Sequence, residues 1–251
     1  NDSGAGSLRS AIISANSTLG ADSIIFNLGT GTPTINLLSP LPTITDAVTI
    51  NGNTGGATRV ELNGAGAGAN ANGLTISGGN SVIERLVINR FTGDGIQITG
   101  TGFNTIKGCI IGLDASGTIV RANNVGVAIR GSSDNTIGST AFADRNTISG
   151  NTTNGVLIAL VTIVNPSPNP PTIIPASRNK VINSYIGSDI TGRFDVGNIG
   201  AGVNISGGDA SIIGGTTEDE RNVISGNNGG GVRIETADAV NNRVIGNYIG
   251  T

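Results

Sequence analysis

The chain of 251 residues has no histidine, no methionine, no tryptophan and a single cysteine, Cys109. Each absence closes a class of chemistry. Without histidine there is neither the commonest general base nor the commonest metal ligand, so any reaction would run on carboxylates, arginine, lysine or tyrosine. A lone cysteine forms no intramolecular disulfide. Aromatic residues make up only 3% of the chain, so its core has to be assembled from small aliphatics. Charge is sparse as well: 14 basic residues, two of them lysine, stand against 17 acidic ones, for a formal net charge of -3. That balance offers no basic stripe for nucleic acid and no polybasic membrane anchor, so neither nucleic acid nor other polyanions are expected partners. The sequence contains no long apolar run and no charged leader, so neither membrane insertion nor a signal peptide is expected in it, and it reads as part of something larger.

What is abundant is glycine, 41 residues of it, and a repeated phrase. NTISGNTTNGVLI from Asn146 and NVISGNNGGGVRI from Asn222 are nearly the same segment. The motif Gly-aliphatic-x-Ile occurs at Gly73, Gly95, Gly126, Gly155, Gly202 and Gly231, with a shortest interval of 22 residues. That interval is about one turn of a solenoid. A second phrase, Asn-x-aliphatic, recurs at Asn80, Asn104 and Asn135, with Ser211 and Asn242 in the later places. Within these phrases Ile, Val and Thr alternate with small or polar residues between Gly and Asn corners, which is the period of a strand and not of a helix. Upstream, SIIFN, VTING and GLTIS continue the pitch, with TINLL and VELNG as other faces.

Stacked copies of such phrases predict an all-β parallel β-helix, with Ile over Ile inside and Asn over Asn at the corners. About eight turns are expected over residues 21–251. Residues 1–20 form a cap segment in which Leu8, Ile12 and Ala15 share one helical stripe, Ser7 caps the start and Gly20 stops the helix. The segment 161–178 holds five of the eight prolines and accounts for the longest interval, between Gly155 and Gly202; it reads as an inserted loop.

The segments NDSGAGSLRSAI, ADSIIFNL, LLSPLPTITDAVTINGN, RNVISGN, GVRI and NYIGT together resemble the right-handed parallel β-helix regions of large bacterial secreted and cell-surface proteins, of the pectin-lyase-like superfamily. The resemblance spans essentially the whole chain. It implies that Ser7–Ile12 opens a right-handed, single-stranded solenoid. For activity it implies little, because the superfamily holds lyases, hydrolases and epimerases beside members with no assigned reaction.

The strand alternation leaves two outward rows that could carry chemistry: Thr75, Gln97, Ala128, Leu157, Asn204, Arg233, and Ser77, Thr99, Arg130, Ala159, Ser206, Glu235. Neither clusters carboxylates as a lyase or glycosidase requires, and neither is the uniform threonine ladder of an ice-binding face. Asp114 and Asp189 sit at matching positions before a glycine; they lack the acidic neighbours of a calcium site and read as Asx turns. Glu218, Asp219 and Glu220 beside Arg221, and Asp144 beside Arg145, read as solvated loop pairs. Cys109 replaces the Asn of the corner phrase and reads as an inert packed thiol. Tyr185 and Tyr248 occupy equivalent places, as a structural pair or a two-tyrosine sugar platform.

No catalytic, cofactor-binding or metal residue is assigned. The reading is a non-catalytic structural or adhesive stalk segment, extracellular or at the cell surface. Its partners would be cell-surface glycans or another copy of the chain through an open C-terminal end. The alternatives are a polysaccharide lyase or epimerase of the same fold, and a carbohydrate-binding module.

Overall fold

The computed structural model describes residues 2–251. Its strands fall into two parallel sheets of eight strands and one of six. The first sheet runs from Asp22–Ile25 to Arg243–Ile245, the second from Thr34–Asn36 to Tyr248–Ile249, and the third from Leu74–Ile76 to Val232–Glu235. Successive strands of the chain visit the three sheets in rotation, so the fold is a parallel β-helix of eight turns. Adjacent turns lie about 4.8 Å apart.

The register stacks like on like. Ile24, Ile50, Ile83, Ile106, Ile137, Val181, Ile213 and Val244 form one internal column. Ile35, Leu62, Ile88, Ile111, Ile148, Ile186, Ile224 and Ile249 form a second. The aliphatics of Gly-aliphatic-x-Ile supply two more in the third sheet, and through the middle turns these side chains are fully buried. Each contributes about 1.5–3 kcal/mol. The glycine that opens the phrase is required by close approach: a Cβ on Gly126 would stand 2.5 Å from the carbonyl oxygen of Gly155, one turn on, and the other glycines of the row are equally crowded.

The corners carry polar ladders. In the first, the backbone N–H of Ser81, Asn104 and Asn135 donates to the side-chain oxygen of Asn104, Asn135 and Asn179, each one turn further, at 2.9–3.1 Å. The ladder continues through Ser211 to Asn242. A second joins Cys109 to Asn146 and Ser184 to Asn222 and Asn247. A third links Phe91, Asn123, Asn151, Asn198 and Asn227. Asn104, Asn135, Asn146, Asn151, Asn179, Asn198 and Asn222 are all fully buried. In the first ladder Ser81, and not Asn80, holds the place in the early turn. Asn80 instead adopts φ 59° on the exposed side of the bend, as Phe103, Asp134, Arg178, Ala210 and Asn241 do before their own ladder residues.

The N-terminal helix, α1 (Leu8–Ser17), buries Leu8, Ile12 and Ala15 against the first turn. Ser7 Oγ accepts from Ser10 N–H at 3.1 Å. The helix ends with Thr18 as its C-cap, two residues before Gly20. Arg9 explains the polar half of the Ser-Leu-Arg segment: it donates to Pro40 O, Ser39 O and the Asp2 carboxylate, tying the helix to the loop after the second strand. Between the fifth and sixth turns the chain makes an antiparallel hairpin, Val161–Ile163 with Thr172–Ile174. It re-enters the core at Ala176, which is fully buried.

Asn151→Ala is expected to lower the unfolding free energy by about 2–3 kcal/mol, because it strands the buried N–H of Asn123 and the carbonyl partners of its own amide. Gly126→Ala is expected to cost at least as much, by overpacking. Asn169→Ala on the hairpin tip should stay within about 0.5 kcal/mol. Urea unfolding of the three variants checks the order.

Candidate functional site

The outward row Thr75, Gln97, Ala128, Leu157, Asn204, Arg233 lies in register on the third sheet, in the order read from the sequence. Its chemistry centres on a residue outside both rows, Asp94, whose side chain is 4% exposed. Asp94 Oδ2 accepts from Arg130 Nη2 at 3.2 Å, and Oδ1 from Asn124 Nδ2 at 3.3 Å. The pair spans one turn, and Ala128 beside it is fully buried although it points outward. An acidic residue directly before the repeated glycine, where Asn72 and Asn154 stand in other turns, is the signal that could have found it.

On the second sheet the outward residues Val87, Ile110 and Thr147 are also buried. Loops 113–121 and 188–197 fold back over this face, and Val87, Ile110 and Leu113 pack with Ile190 and Val196 in a small core outside the solenoid. The two aspartates hold these loops. Asp114 Oδ1 accepts from Ser116 Oγ and from the N–H groups of Thr118 and Ile119. Asp189 Oδ1 accepts from Thr191 Oγ1 and from the N–H groups of Arg193 and Phe194. Both are Asx-type turns in place and kind. Burial alone would raise each pKa; in Asp189 the Phe194 amide and Thr191 hydroxyl outweigh it, and in Asp114 the Ser116 hydroxyl and Ile119 amide do, so both carboxyls fall below their ordinary value.

At the corner between the first and second sheets, Lys107 Nζ lies 3.0 Å from Glu84 and 3.3 Å from Asp144, while Arg85 Nη2 meets Asp144 at 2.8 Å. Asp144 therefore pairs across turns and not with its neighbour Arg145. The hydrogen bond from Lys107 to Glu84 outweighs burial and raises the lysine pKa. Burial pushes Asp144 up, but the Ser139 hydroxyl and Lys107 bring it below the ordinary value. Lysine and aspartate are both locked in their charged forms, the opposite of what a nucleophilic amine or a general acid needs.

Arg145 stacks between Phe142 and Tyr185, at 4.6 and 4.5 Å from the ring centres, and donates to Tyr185 Oη at 2.7 Å. Arg221 covers Tyr248 in the same way, at 4.7 Å, with its carboxylate neighbour Glu218 at 3.8 Å. Glu220 does different work: its carboxylate accepts from Thr216 N–H and Thr217 Oγ1, closing a short 3-10 turn. Tyr185 has the guanidinium on its ring, and Gly192 lies so close that a Cβ there would stand 2.7 Å from the ring carbon Cζ. The tyrosines do share a row on the sheet, but Tyr185 is a packed residue and not an open platform.

Cys109 sits where the second ladder begins, after Val60 and Leu86 have filled the same corner with apolar side chains. Burial raises its thiol pKa to about 11, against the backbone N–H of Leu86 that lowers it. It is an unreactive thiol at neutral pH. Among the described residues no cluster of three or more Asp, Glu, Cys or His could hold a metal ion, and no helix is long and apolar enough to cross a membrane.

Because the folded pKa of Asp189 lies below its unfolded one, its stabilisation is complete above the ordinary aspartate range near pH 4 and is lost as pH falls through the depressed folded value. Urea unfolding across acid pH should show a shallower loss of stability for Asp189→Asn than for the parent chain. Asp189→Ala should cost about 1–2 kcal/mol at neutral pH. An unchanged acid slope in Asp189→Asn would remove Asp189 from the linkage.

No protein-family model matches this chain, and no curated protein matches it. What stands is the architecture: stacked parallel sheets of a β-helix, with polar side chains bonded from turn to turn.

Proposed function

We propose that the chain is a structural or adhesive stalk segment of an extracellular bacterial protein, a non-catalytic solenoid of the pectin-lyase-like kind. The observation that carries this reading is where the polar groups are spent. The corner asparagines bond the next turn, Arg130 and Asp94 clip neighbouring turns, and Arg85, Lys107 and Asp144 join the third, fourth and fifth. Asp114 and Asp189 lock the loops over the second sheet. Side chains that chemistry would recruit are tied into cohesion between turns, and each added turn lengthens a rigid rod by about 4.8 Å.

A carbohydrate-binding role is a second reading. Phe142 and Tyr248, 74% and 52% exposed, each keep one face free while an arginine holds the other. Such rings stack on sugar faces. The glycan would then be the adhesive partner of the stalk.

The decisive assay incubates the chain with polygalacturonate and with alginate, following unsaturated products and new reducing ends. No product above the background rate is expected. Product formed at a rate proportional to protein, and lost in Asp94→Asn or Arg130→Gln, would overturn the stalk reading in favour of a lyase or epimerase.

A further inference from the structure

Between the fifth and sixth turns an antiparallel two-stranded hairpin interrupts the stacked turns. From Val161 to Ser177 it contains no charged residue. Even so, Ile163, Ile173 and Val164 are 46%, 55% and 84% exposed. Beside the hairpin, facing the loop 236–240, lies a cleft of about 420 Å³ lined by Leu160, Ile173, Pro175, Ala237 and Val240, with Asp209 and Asp238 among its walls. Arg178, a cation whose charge Asp209 also feels, is held by Asp134 through two bonds of 2.8 and 2.7 Å. Among the described residues neither Asp209 nor Asp238 forms an ion pair. Among the described residues the hairpin strands pair with no strand but each other, so Thr172–Ile174 keeps an unpaired backbone edge.

We propose that this cleft docks an extended polypeptide segment in which a branched aliphatic side chain adjoins a lysine or arginine. Three properties select that occupant. The apolar lining takes an aliphatic side chain and, having no aromatic ring, offers no stacking surface to a sugar. The two carboxylates lacking an ion-pair partner complement a cation. The free strand edge supplies donors and acceptors to an extended backbone. The site is separate from the aromatic rings of the glycan reading and does not depend on it.

Fluorescence anisotropy of the whole chain with a labelled short peptide alternating valine and lysine tests the proposal. Controls replace lysine by glutamate, or valine by serine. Saturable binding of the valine–lysine peptide is expected, weakened about tenfold by the double substitution Asp209→Asn/Asp238→Asn and by Ile173→Ser. All these positions are at least partly solvent-exposed, so the thermal midpoint should stay unchanged, and either variant alone can decide the outcome. Equal binding of the serine–lysine peptide would reduce the effect to bare charge attraction and overturn the proposal. So would equal affinity in both variants, no saturable binding, or sedimentation showing that a second copy of the chain fills the cleft.

Discussion

The fold depends on one hydrogen bond made many times: a backbone N–H at a corner, turned into the interior, meets the side-chain oxygen of the residue one turn further on. A β-helix has to bend sharply three times per turn, and each bend removes a peptide group from the sheet's own bonding. Left unpaired in a buried corner, each such N–H would cost about 1–3 kcal/mol. Asparagine solves this because its amide both accepts from the earlier turn and donates to a carbonyl; the Nδ2 of Asn123, Asn198 and Asn222 donate to Ile88, Ile148 and Val181. In the first ladder the bend itself is made by the preceding residue in the left-handed region, at about 1–2 kcal/mol when that residue is not glycine.

With the interior fixed by aliphatic columns and asparagine ladders, the outside is free to vary, and it varies by sheet. The second sheet is roofed in its middle turns by two loops, each pinned by one aspartate. The third sheet keeps a polar face on which Arg130 and Asp94 are paired. The corner between the first and second sheets carries arginines that reach forward: Arg59 and Arg221 each donate from Nε to a glycine carbonyl at the equivalent place in a later turn, Gly108 and Gly246. Cohesion along the axis is thus built twice, inside by amides and outside by guanidinium groups.

The glycine row was legible because close approach of turns tolerates no Cβ, which leaves one residue type at a regular place. The outward row of the third sheet followed from simple alternation. The corners were only partly legible. The left-handed residues before the first ladder are Asn, Phe, Asp, Arg, Ala and Asn, a set with no common chemistry, so the phase slipped by one at Asn80, and Asn179 was hidden behind the hairpin. Asp144 and Arg145 are adjacent in sequence, but a chain that turns between them sends their side chains to different turns. Alternation also could not reveal that Val87 and Ile110, pointing outward, are covered by the loops 113–121 and 188–197, the second of which arrives about a hundred positions after Val87.

The ladders do not all begin together, and this makes the turns unequal. Between the second and third turns, among the described residues, the one N–H donated forward to a side chain of these three ladders is that of Val48, to Ser81 Oγ, because Leu86 and Phe91 are apolar side chains that accept nothing; Asp94 N–H reaches back to Asn72 Oδ1. Between the fourth and fifth turns three such bonds are present, from Asn104, Cys109 and Asn123. In a linear array whose stability is a sum of repeat and interface contributions, a weak interface is where opening begins. The solenoid is graded along its axis, with a softer N-terminal segment sealed by α1 and a stiffer body behind it, so that a rod made of one repeated phrase has a direction in which it gives way.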